Sequence, residues 1–83
     1  INNPINFVAG NLQPAQLYVK DLLYLINVYE QCTPNPNQTI QLAIEAVDLE
    51  YVREDFPKLL VSMSEGVKRI QEISKSLRLF CRM

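Results

Sequence analysis

The chain has 83 residues, 48% of them hydrophobic, and a formal net charge of -1 from eight Lys/Arg and nine Asp/Glu, with no histidine and no tryptophan. That length allows one domain at most, and two helices of this size leave too much surface open to be stable unless they associate, so self-association is expected. Abundant aliphatic residues with only Gly10 and Gly66 favour helices over a sandwich or barrel, and the slightly acidic balance, with acids among the bases and no aromatic interleaving, argues against nucleic acid as a partner.

The first predicted element lies over about residues 2–31. Its apolar residues fall at Ile1, Ile5, Val8, Leu12, Ala15, Val19, Leu22, Ile26 and Tyr29, an alternation of four and three that gives a coiled-coil seam of about four heptads. Tyr18, Leu23 and Leu25 widen the stripe, as expected of a helix that touches two neighbours in a four-helix bundle. Pro14 removes one backbone donor and clashes with the carbonyl of Gly10, which predicts a bend without a break.

Cys32-Thr33-Pro34-Asn35-Pro36-Asn37 is dense in residues that stop helices or favour turns, so the chain is expected to reverse over about 32–38. Thr39 or Asn37 can cap a short helix over about 39–47, and Asp48 can cap or kink the start of a long helix over about 48–82. The seam of that helix reads Leu49, Val52, Phe56, Leu59, Met63, Gly66, Ile70, Ile73, Leu77 and Phe80. Gly66 alone interrupts it, and its missing side chain would let a neighbouring helix come close. Pro57 is expected to bend this helix; the alternative is that a helix ends at Asp55. The two long helices, roughly 45 and 50 Å at 1.5 Å per residue, match well enough to pack side by side.

The expected fold is therefore all-α, a long antiparallel helical hairpin that homodimerises into a four-helix bundle. Its expected core consists of Ile5, Val8, Leu12, Val19, Leu22, Ile26, Leu49, Val52, Phe56, Leu59, Met63, Ile70, Ile73, Leu77 and Phe80. Cys32 and Cys81 would stand at opposite ends, too few for a disulfide framework and expected as free thiols in a reducing compartment. No apolar run approaches the roughly 18 to 20 residues of a membrane span. A cytoplasmic location without membrane insertion is expected, even where a parent protein is tethered to a membrane.

Charge is unevenly spread. Residues 1–57 carry Asp21, Glu30, Glu45, Asp48, Glu50, Glu54 and Asp55 against Lys20 and Arg53, whereas residues 58–83 carry Lys58, Lys68, Arg69, Lys75, Arg78 and Arg82 against Glu65 and Glu72. The basic end suits phosphoryl groups or an acidic partner. It equally suits a solvated helix whose cations oppose the helix dipole. With no histidine and two distant cysteines there is no metal constellation, and no glycine-rich phosphate cradle is present. The Glu54–Lys58 and Glu65–Arg69 spacings are ordinary exposed helix pairs.

Ile1-Asn2-Asn3-Pro4-Ile5-Asn6-Phe7 resembles the back half of the phosphorylation box of sensor histidine kinases, whose dimerisation and histidine-phosphotransfer domain carries His-Glu-x-x-x-Pro and often His-Glu-Ile-Asn-Asn-Pro. Ser64-Glu65-Gly66-Val67-Lys68-Arg69-Ile70-Gln71-Glu72-Ile73 and Ser76-Leu77-Arg78-Leu79-Phe80-Cys81-Arg82 resemble the end of that domain's second helix, with Leu79 and Cys81 where the family often has Asn and Ser. Asp48-Leu49-Glu50-Tyr51 and Asp55-Phe56-Pro57-Lys58-Leu59-Leu60 fit a long-hairpin branch.

The resemblance implies a phosphoacceptor His and an adjacent Glu immediately before Ile1. It implies a parent kinase that binds ATP and Mg in a separate catalytic domain and passes phosphate to a response-regulator receiver aspartate. The 83 residues alone, without cofactor, would be inactive. On helical spacing the implied His shares a face with Asn3, Asn6, Gly10 and Gln13. Asn3 would orient water for hydrolysis of the partner's phosphoaspartate, and Asn6, Gly10 and Gln13 would dock the receiver. A plainer reading of the same residues is that Asn2, Asn3 and Asn6 cap and solvate a helix start with Pro4 in its first turn. The rival function is a non-catalytic helical scaffold or adaptor dimer, for which the seams alone suffice.

Overall fold

A computed structural model describes the backbone of residues 2–82 and the side chains of residues 4–81. Among these residues the chain is all-helical: α1 spans Asn2–Cys32, α2 spans Gln38–Val47 and α3 spans Leu49–Arg82. Pro14 and Pro57 lie inside α1 and α3, and both helices continue through them. Each proline costs roughly 3 kcal/mol in a helix interior, which the contact between the two long helices must offset.

Local chemistry sets the joints. Thr33 N–H bonds the carbonyl of Glu30 at 3.3 Å, tightening the last turn of α1 before the proline-rich reversal. Asn37, in extended backbone, caps α2 by accepting from Ile40 N–H at 3.0 Å through Oδ1. Gln41 Nε2 reaches back to donate to the Pro36 carbonyl at 3.0 Å, so donor and acceptor groups on both sides of the cap are used. Of the two candidate caps, it is Asn37 that does this.

Asp48 holds α2 and α3 together as one joint. Its N–H bonds the Glu45 carbonyl at 3.1 Å, ending α2, and its own carbonyl accepts from Val52 N–H at 3.1 Å, starting α3. To face both ways it adopts φ 51 and ψ 60, the left-handed region, which Asp and Asn tolerate and β-branched residues resist. Asp48→Gly should therefore hold or raise the melting temperature, and Asp48→Val should lower it by about 4–8 °C, for a cost of roughly 1 kcal/mol in a domain of this size. Thermal unfolding by circular dichroism checks both.

α1 and α3 lie alongside each other in opposite senses. Arg53 Nη2 meets Glu30 Oε1 at 2.7 Å near one end, and Gln71 Nε2 donates to Asn6 Oδ1 at 3.1 Å near the other. Between them Leu12, Val19 and Leu60 are buried, with Ala15, Leu23 and Val67 packed around them. The less exposed residues mark the line along which the helices meet: on α1 they include Ile5, Ala9, Leu12, Gln16, Val19, Leu23 and Ile26, and on α3 Arg53, Leu60, Ser64, Val67, Gln71 and Ser74. α2 closes one end, where Ile26, Tyr29, Ile40, Ile44 and Leu49 surround an apolar cavity of about 290 Å³.

This line differs from the expected seam of α3. Leu60 and Val67, absent from the expected core, are the residues that meet α1, each one position after Leu59 and Gly66. One residue is a turn of about 100°, so the expected stripe from Val52 to Phe80 is rotated away from the line where the two helices meet. Within the single chain Leu12 and Val19 are buried and Ile5, Ile26 and Leu49 are half-buried, but Val8, Leu22, Val52, Phe56, Leu59, Met63, Ile70, Ile73, Leu77 and Phe80 are exposed. Gly66 is not approached by its own chain either: a Cβ built there meets nothing within 4 Å.

Candidate functional site

Two surfaces of the helix pair could carry function, one polar and one apolar. The polar one follows Asn6, Gly10 and Gln13 along α1, all exposed. Gly10 leaves open space, since nothing lies within 4 Å of a Cβ built there. Asn6 is not free at its carbonyl: Oδ1 accepts from Gln71, which ties the stripe to α3. Asn3 has a helical backbone, but its side chain lies outside the described residues, so its proposed water-orienting role has no geometry here.

The Asn6–Gln71 bond brings the basic end of α3 beside the start of α1. Lys68, Arg69, Lys75 and Arg78 are exposed there. Among the described residues the ion pairs are Arg53–Glu30 and Lys58–Glu54, the latter at 3.5 Å with both side chains open to solvent. The Glu65–Arg69 spacing forms no ion pair, so Arg69 keeps its charge available to solvent. An exposed pair such as Lys58–Glu54 contributes well under about 1 kcal/mol.

Stepping down α1 in sevens from Asn6 and Gln13 reaches Lys20 and Asn27, and these two line a groove of about 560 Å³ with Tyr24, Arg53, Pro57 and Val61. Sequence reasoning stopped at Gln13. The four-and-three spacing continues through Leu17, Lys20, Tyr24 and Asn27, so below Gln13 the stripe alternates polar and apolar residues. Arg53 is its most constrained member: Nη2 is held by Glu30, while Nε is buried with no hydrogen-bond partner. Among the described residues no three His, Cys, Asp or Glu side chains converge to hold a metal ion.

The apolar surface lies on the opposite side. In an antiparallel pair, residues one position before the contact line of either helix turn toward the same side. On α1 these include Tyr18, Leu22 and Leu25, together with Val8, Ala15 and Tyr29; on α3 they include Val52, Leu59, Gly66 and Ile73, flanked by Phe56, Met63, Ile70 and Leu77. The larger of these side chains are exposed, from 38% at Val52 to 66% at Tyr29. They lie on one side of the helix pair, from Val8 to Tyr29 on α1 and from Val52 to Leu77 on α3. Isolated exposed apolar residues are ordinary, whereas interaction surfaces commonly gather such residues on one side of a molecule.

No protein-family model matches this sequence, and neither a curated protein nor a solved structure does. Among the described residues no helix is long and apolar enough to cross a membrane.

Proposed function

We propose that this chain is the dimerisation and phosphotransfer element of a two-component sensor histidine kinase, a helical hairpin that pairs with a second copy to form a four-helix bundle. The observation that carries the dimer is the shared apolar face. With Leu12, Val19 and Leu60 as the buried hydrophobic residues among those described, a lone helix pair leaves most of its apolar side chains in water, and a second copy would cover those of this face, leaving Phe7, Leu17, Tyr24 and Val61 outside it. The resemblance of Ile1–Phe7 and of the end of α3 to the kinase domain supplies the phosphotransfer part of the reading.

Each part of the surface then has a task. The apolar face makes the bundle, leaving the polar side outward. A histidine preceding Ile1 by two positions would stand at the head of the Asn6, Gly10, Gln13 stripe, above a low surface that a receiver domain can approach. Lys68, Arg69, Lys75 and Arg78 lie near that end and would favour phosphoryl groups and the acidic pocket of the receiver. ATP and Mg would be bound by a separate catalytic domain of the parent, which would phosphorylate the histidine; the receiver aspartate would then take the phosphoryl group. The 83 residues supply no imidazole for that step.

A non-catalytic scaffold or adaptor dimer shares the apolar face but not the phosphotransfer. The test separates the two. Light scattering on the purified chain is expected to give twice the chain mass at micromolar concentration, and a folded monomer would refute both readings. With His-Glu joined ahead of Ile1, the dimer should acquire acid-labile phosphate from ATP and the parent's catalytic domain, whereas the 83-residue chain should acquire none. A folded, dimeric His-Glu chain that stays unphosphorylated would leave the scaffold reading in place.

A further inference from the structure

Resting on the dimer reading above, we propose that Tyr18 of each copy fills the open space over Gly66 of the other, fixing the two copies side by side with their turns at the same end. The apolar residues of the face to be covered run from Val52 to Leu77 along α3, about 38 Å at 1.5 Å per residue, and over the 19 Å width of the pair this is on the order of 700 Å², close to the roughly 800 Å² per partner of a standard interface. A second copy presents the same long apolar surface, and an isologous contact uses it on both sides.

The level of each residue follows from the bonds between the helices. Asn6 is beside Gln71 and Glu30 beside Arg53, so the midpoint of that stretch of α1, Tyr18, stands level with Ser62 of α3. A helical side chain leans toward the N-terminus of its own helix. In α1 that direction leads from the level of Ser62 toward Gly66, one turn or about 6 Å away. Tyr18 is 65% exposed on the apolar face, and Gly66 on the same face has nothing within 4 Å of a Cβ position.

Two face-to-face arrangements keep twofold symmetry. With the axis along the helices, α1 of one copy lies on α3 of the other at unchanged level, and each Tyr18 ring meets a Gly66 gap. With the axis across the helices, α1 lies on its own counterpart with levels reversed. Tyr18 and Gly66 are both near the middle of their helices, so this second arrangement sets ring against ring and gap against gap. Close packing favours the first, because an unfilled gap forfeits contact on both of its walls.

The native cysteines report the arrangement directly, since Cys32 and Cys81 are both exposed and free near opposite ends of the helix pair. A flexible bismaleimide applied to the dimer is expected to join Cys32 to Cys32 and Cys81 to Cys81. Gly66→Leu should raise or preserve helix content in the free chain, where the space is open, yet weaken the dimer at least tenfold by sedimentation. Tyr18→Ala should weaken it also, and adding Tyr18→Ala to Gly66→Leu should cost less than the two changes apart predict. Gly66→Ala repeats the test with a smaller side chain if the leucine variant does not fold. A dimer that joins Cys32 to Cys81, or one indifferent to both Gly66 variants, overturns the Tyr18–Gly66 contact and leaves the dimer intact. A folded monomer from the unchanged chain removes the dimer reading with it.

Discussion

Leu60→Asp is expected to unfold the helix pair. Leu60 is 8% exposed and forms, with Leu12 and Val19, the buried centre of the chain. The described ion pairs of Arg53 and Lys58 are with Glu30 and Glu54, which leaves a carboxylate at position 60 without a cation committed to it. An unpaired buried charge costs about 3–5 kcal/mol, against a total stability of roughly 5–15 kcal/mol for an ordinary domain and less for one with so small a core. Circular dichroism should show a chain largely unfolded at 37 °C. Leu60→Ala, which removes packing without adding charge, should retain helix at low temperature and melt earlier than the original. A Leu60→Asp chain that melts like the original would mean that the contact line of α3 lies elsewhere.

Ile73→Asp is expected to separate folding from association. In the single chain Ile73 is 54% exposed, so the substitution should change the stability of the helix pair by only about 0.5 kcal/mol, as surface changes do. In the proposed dimer the same side chain is covered, and each copy would bury an uncompensated carboxylate. A cost of about 3 kcal/mol corresponds to roughly a hundredfold loss of association. Sedimentation should show a helical monomer at concentrations where the original chain is dimeric. Lys75→Asp, two residues on and turned to the other side of α3, should leave the dimer nearly unchanged. Equal effects from the two substitutions would mean that the apolar face is not the interface.

These two positions also show where sequence reading and folded structure part. The four-and-three spacing from Ile5 to Tyr29 and from Leu49 to Phe80 is enough to specify two long helices, because only helical geometry gathers those residues on one side. The run from Cys32 to Asn37 is enough to specify the reversal, since its prolines lack donors and fix the backbone. Asn37 is a sufficient cap for α2 by its short side chain alone. Part of the candidate site was legible too: Asn6, Gly10 and Gln13 come out on one exposed side of α1, as their spacing requires.

The choice of contact line on α3 was not legible. Leu59 and Leu60 are neighbours of identical hydropathy, and Val67 stands beside Gly66 just as Ile73 stands near Ser74, so two stripes about 100° apart are both plausible on periodicity. What selects between them is the rotation and register of α3 against α1, which the Arg53–Glu30 and Gln71–Asn6 bonds mark across separations of 23 and 65 residues. In that register Leu60 and Val67 face inward while Leu59 and Ile73 stand on the outer apolar face. Lys20 and Arg53 come to line one groove in the same register. Helix, turn and cap are decided by interactions between residues a few positions apart, which a sequence displays. Which stripe is buried depends on the rotation of one helix against another, and only the packed pair decides that.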